Sequence, residues 1–176
     1  MIMGRIKGYH LIKPMHKRGE INVFTDFFKY VYKSVVAKDL GKEKGRFNEL
    51  IKNPNGFTYM EVKKMANNFE MEVCTTSMVI IEGHPNDQPK TFTYKEVKVM
   101  HEEGKVNSLD DIFKYVHESD VAESLGKKRE TFNRLLDRVE RFTIRDIRSM
   151  GELFGLTFNE IFAFIHNKYE KKLKKP

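Results

Sequence analysis

Val121-Ala122-Glu123-Ser124-Leu125-Gly126-Lys127-Lys128-Arg129-Glu130-Thr131-Phe132-Asn133-Arg134-Leu135 reads as two short helices on either side of a glycine. Val121, Ala122 and Leu125 share one face of a first helix, with Ser119 as its expected cap. Gly126 supplies the turn, because glycine enters the left-handed region without a Cβ clash. Residues 129–139 form the second helix, with Phe132, Leu135, Leu136 and Val139 at 3/4 spacing.

The same pattern occurs 85 residues earlier. The alignment runs without a gap from Tyr9/Tyr94 to Val73/Phe158 and holds 24 identities in 65 positions. Unrelated segments of average composition match at roughly one position in fifteen to twenty, so the chain carries an internal duplication. Two copies are too few for a solenoid, and two similar small domains are expected. The stretch from Gly83 to Lys90 holds two prolines, a glycine and an Asn-Asp pair, the composition of a loop. The expected boundaries are a first repeat at 1–82, a linker at 83–92, and a second repeat at 93–176.

The rest of the second copy is also helical in pattern. Thr93 is the expected cap of a helix over 94–103, which Gly104 ends. Ser108 and Asp111 stand at capping-box spacing. Thr143 opens a helix through Phe154, with Ile144, Ile147, Met150 and Leu153 inward, and Gly155 breaks it. Residues 158–169 make a last helix before a basic tail that is expected to fray. Residues 78–81, Met-Val-Ile-Ile, have strand composition but align with the helical 163–166, so helix is favoured. The expected class is all-α, as two similar helical bundles.

The whole chain has 176 residues and a net charge of +7. No apolar run approaches the roughly 20 residues of a membrane span, so no membrane partner is expected. The opening MIMGRIKGYHLIKP lacks the order of a secretion signal. The single cysteine, Cys74, excludes an internal disulfide and a Cys-rich zinc cluster. These features point to the cytoplasm. A sequence pI near 9.3 favours a polyanionic partner.

Residues 121–135 resemble the helix-turn-helix of Cro/repressor-type DNA-binding domains. Such motifs place a small residue in the first helix, where Ala122 and Ala37 stand. They place a glycine four residues on, where Gly126 and Gly41 stand. Apolar anchors follow the same pattern at Val121, Leu125, Phe132 and Leu135, and at Val36, Leu40, Phe47 and Leu50. The family continues with two more helices, and residues 142–162 are similar to that continuation. Residues 57–71 are similar too, without the final glycine. Two features depart from the family. The slot after the turn glycine, usually apolar, holds Lys42 and Lys127, and the glutamine-rich start of the first motif helix is missing.

The resemblance implies that the second motif helix lies in the major groove with its N-terminal residues at base edges. Arginine grips guanine O6 and N7, and asparagine grips adenine N6 and N7. Arg129, Arg134, Asn133 and Asn48 are then the candidate readers. Lys127, Lys128, Lys42, Lys44, Arg46, Arg138 and Arg141 are expected nearer phosphates. Residues 126–148 carry a net charge of +4 and residues 41–63 one of +2. Gly45 also falls inside the first copy's second helix, at a cost of about 1 kcal/mol relative to alanine. The second copy is the stronger candidate for binding double-stranded DNA as a transcriptional regulator. The alternative is a helical protein-interaction module, an adaptor or antitoxin-like partner, with a protein partner or self-association in place of DNA.

Nothing in the sequence points to an enzyme or a cofactor. His16 and His101 recur across the copies but lack ligands at metal spacing. A structural role is expected for them, and dipole compensation for Asp110-Asp111. Cys74 is expected to be inert, and no Gly-rich phosphate loop is present.

Overall fold

The structure, a computed structural model, describes residues 8–84 and 94–174. Thr93 and most of the expected linker lie outside them. Helix of all types takes 71% of the described residues, which contain no strand, about twice the usual one-third. No helix among them is long and apolar enough to cross a membrane. The chain divides into two compact units, Met1–Pro85 and Asn86–Pro176.

In the first unit a short 3₁₀ turn, Tyr9–Leu11, leads into α1 (Ile12–Lys17). A 3₁₀ segment (Phe24–Lys29), α2 (Lys33–Asp39), α3 (Lys44–Lys52), a second 3₁₀ turn (Pro54–Gly56), α4 (Tyr59–Phe69) and α5 (Val73–Ile81) follow. In the second unit the order is α6 (Lys95–Glu102), α7 (Leu109–Ile112), α8 (Glu118–Ser124), α9 (Arg129–Asp137), a 3₁₀ turn (Val139–Arg141), α10 (Ile144–Phe154) and α11 (Phe158–Leu173). From α2 to α4 every helix begins and ends 85 residues before its counterpart. Residues 78–81 are helical, as the alignment indicates.

The cores repeat as well. Phe28 and Phe47, and Phe47 and Phe57, meet edge to face at 5.9 and 6.2 Å. Phe113 and Phe132, and Phe132 and Phe142, do the same at 5.8 and 6.2 Å. Where the units differ, volume is exchanged across one packing contact. Phe24 and Phe27 stand where the second unit has Leu109 and Ile112, and all four are buried. Buried Thr76 and Ser77 stand where it has Ile161 and Phe162. The 24–29 segment packs on α5, and α7 packs on α11. The unit with the larger pair in its 24–29 segment thus has the smaller pair on the helix packed against it, which offsets part of the volume difference between the two cores. The buried hydroxyls are satisfied locally. Thr76 Oγ1 donates to the Glu72 carbonyl and Ser77 Oγ to the Cys74 carbonyl, at 3.0 and 2.7 Å.

Several helix starts follow the sequence. Thr58 with Glu61 and Thr143 with Asp146 form capping boxes, as does Thr157 with Glu160. Ser108 Oγ accepts from the Asp111 amide at 3.2 Å. Lys114, with Ser108 and the Asn107 amide, holds the Asp111 carboxyl down to about 2. His16 and His101 each donate from Nδ1 to a loop carbonyl, of Ile21 at 3.0 Å and Val106 at 2.6 Å, which ties the end of the preceding helix to the loop.

Four local expectations are corrected. Ser119 lies inside α8, and His117 occupies the cap position without a side-chain hydrogen bond. The second motif helix stops at Asp137, where Arg138 leaves helical geometry, and 139–141 is a 3₁₀ turn. α11 runs on to Leu173 through the tail that was expected to fray. Leu125 and Leu135 are half-buried, whereas Leu40 and Leu50 are 7% and 3% exposed. In α9 the inward share falls to Leu136.

Glu70 takes the place of Gly155 at the end of α4. Both are left-handed, Glu70 at φ 54° and Gly155 at φ 68°. An L-residue pays about 1–2 kcal/mol for that conformation, partly offset because glycine gains more freedom on unfolding. Exposed Glu70→Gly is therefore expected to stabilise the chain by about 0.5–1 kcal/mol, read as a higher urea midpoint.

Candidate nucleic-acid interface

The two-helix motif is closed by backbone geometry in both units. Ala122 and Ala37 are 1% and 3% exposed in the first motif helix, which packs against the second. A small side chain there lets the two helix axes approach. Gly126 and Gly41 both have φ 65°. Their amides donate to the carbonyls of Glu123 (2.8 Å) and Lys38 (2.9 Å). The next amides, of Lys127 and Lys42, reach back to Ala122 and Ala37 at 2.8 Å. This double closure is a Schellman motif, which needs a left-handed residue at its centre. It ends the first helix and sets the direction of the second.

The lysine after the glycine has a different place from the one expected. Lys127 pairs with Asp146 at 2.9 Å, and Lys42 pairs with Glu61 at 2.5 Å. Asp146 and Glu61 are the capping-box acids at the starts of α10 and α4. Asp146 also accepts from the Thr143 amide and hydroxyl at 3.1 and 2.9 Å. The ammonium therefore ties the turn to the following helix, and an apolar residue in this slot could not reach that carboxylate. Lys42 and Lys127, expected near phosphates, stand here as half-buried struts between the turn and the next helix. Lys127→Ala leaves Asp146 without its cation in a position only 7% exposed. It is expected to cost about 1–3 kcal/mol of stability, measured by denaturation, and to leave the salt dependence of binding unchanged.

On α9 and its two cap positions, Lys128, Arg129, Arg134 and Arg138 are exposed. No acidic partner holds them among the described residues. Asn133 is half-buried, and with its amide turned so that nitrogen faces the acceptors it donates to the Arg129 carbonyl at 3.1 Å and to Glu118 Oε2 at 3.2 Å. In that orientation it joins α9 to the start of α8, which gives it a packing role beside the base contact expected of it. Asn48 is half-buried at the matching position.

On α3 the same surface is weaker in charge. Lys44 and Arg46 are exposed, but Arg46 Nη1 is paired with Glu49 at 2.9 Å. Glu43, Gly45 and Glu49 stand where α9's surface has Lys128, Glu130 and Arg134.

One grouping was not read from the sequence. Thr131, Arg134, Leu135, Asp137, Arg138 and Arg141 line a cleft of about 630 Å³ at the C-terminal end of α9. The i, i+4, i+7 spacing of 134, 138 and 141 carried a signal, but the helix was expected to run through 139. A second feature missed was Lys172 of α11. Its Nζ donates to the Asp137 carbonyl at 2.9 Å, so a cation covers the negative end of α9.

Comparisons with family models, with curated proteins and with solved structures give no match to this chain.

Proposed function

We propose that this chain binds double-stranded DNA through α9 of its second unit and acts as a transcriptional regulator. The observation that carries this reading is the surface of α9. With its cap it presents Lys128, Arg129 and Arg134 to solvent, without an ion pair among the described residues, on the second helix of a tightly closed two-helix motif. Arg129 and Arg134 are the base readers in this reading, and Lys128 and Arg138 contact phosphates. Fluorescence anisotropy of the intact chain with random duplex DNA at two salt concentrations tests it. Binding should weaken steeply with salt, by about 0.9 in log–log slope per phosphate neutralised. No binding, or binding insensitive to salt, overturns it.

A different role is supported for the first unit. Its α3 surface is of mixed charge. On and beside α2, Tyr32 is 57% and Val35 41% exposed, where the second unit has His117 and Asp120. Apolar side chains at those places suit contact with a protein better than with phosphates.

A further inference from the structure

We propose that the cleft at the C-terminal end of α9 is a phosphate site, present once per chain. The duplex form of this proposal, in which the phosphate belongs to a DNA backbone, rests on the DNA-binding reading above.

Arg134 comes from α9, Arg138 from the residue that caps its end, and Arg141 from the 3₁₀ turn that follows. All three are exposed and line the same cleft. The frame beneath them is fixed, with Val139 1% exposed and Phe142 fully buried. A volume of about 630 Å³ lies within the usual range of small-ligand sites, about 300–1,000 Å³.

The charge balance favours an anion. The guanidiniums of Arg138 and Arg141, with that of Arg134 left to its base edge when a duplex is bound, stand against the Asp137 carboxylate and roughly half a negative charge from the helix end. Lys172, held on the Asp137 carbonyl, reduces that last contribution. Planar guanidiniums suit phosphate oxygens because each presents parallel N–H donors.

The first unit lacks the arginines of this site. The three arginines correspond to Glu49, Asn53 and Gly56. Glu49 is an anion and already holds Arg46. A Cβ on Gly56 would meet Leu50 Cδ2 at 2.8 Å, so a side chain there requires Leu50 to move.

The test uses the intact chain and the Arg138→Gln/Arg141→Gln variant, with Lys95→Gln/Lys105→Gln as the charge-matched control. Exposed side chains are replaced in both, and unchanged thermal midpoints check the fold. Binding of random duplex should lose about two units of salt slope in the arginine variant. Its affinity should fall by about thirty-fold at roughly 0.15 M salt, equally on every sequence. The control should keep the wild-type slope. In the second arm, inorganic phosphate replaces chloride at constant ionic strength, and the Arg134, Arg138 and Arg141 Nε–Hε resonances are followed. Shifts in both arms support the site and its duplex form. Shifts with inorganic phosphate beside an unchanged duplex slope support the site but make its ligand a free phosphate. A lowered slope without phosphate shifts supports the duplex form alone. An unchanged slope with no shifts overturns the proposal, even if DNA binding itself stands. If the wild type binds no duplex, the DNA reading fails, and the phosphate shifts alone decide the cleft.

Discussion

Phe132→Ala should lower the stability of the chain by about 3–5 kcal/mol, the cost of truncating a fully buried phenylalanine. Phe132 is 0% exposed and holds ring contacts to Phe113 and Phe142. It therefore joins α9 to the segment before α8 and to the turn before α10. Removing it deletes the transfer energy of the ring and leaves a cavity that those neighbours fill only in part. Urea denaturation should show a lower midpoint with an unchanged slope. An unchanged midpoint would mean that α9 does not dock by this face. Leu125→Ala should cost less, because Leu125 is half-buried.

The second large effect is on binding. Arg129→Ala/Arg134→Ala should weaken binding to a preferred duplex by about 2–6 kcal/mol, at about 1–3 kcal/mol for each guanine grip lost. Preference at the matching base positions should relax together with affinity. Lys44→Ala/Arg46→Ala in α3 should change affinity far less, because Arg46 is already satisfied by Glu49. Equal losses from the two double variants would show that both units share the contact. A loss from the α9 variant that is the same on preferred and random DNA would show that these arginines grip phosphate only.

The contrast between Phe132 and Leu125 shows what the sequence could and could not reveal. Apolar spacing locates the helices and the buried faces, because helical period alone decides which residues turn inward. It does not decide how far each inward residue is covered. Leu40 and Leu125 hold the same slot, yet only Leu40 is buried. Helix ends were legible where the cap chemistry is local, as at Thr143 and Gly155. They were not legible where tertiary partners decide, as at Asp137, whose carbonyl is covered from α11. The site was readable as a motif with basic residues. What escaped was their division. Lys127 and Lys42 look like surface cations until the capping acids 19 residues on are brought beside them. Asn133 reads as a base reader from its slot alone, and the nearness of Glu118 appears only in the fold. Such pairings depend on how the turn folds back, which no local pattern contains.

The most direct measurement is a chemical-shift map of the intact, isotope-labelled chain as duplex DNA is added. The largest changes should fall on α9 and its N-cap, from Lys128 to Arg134, and continue to Arg138 and Arg141. Small or no changes are expected on α3. Changes centred on α2 and α3, or on no part of either motif, would contradict DNA binding through α9.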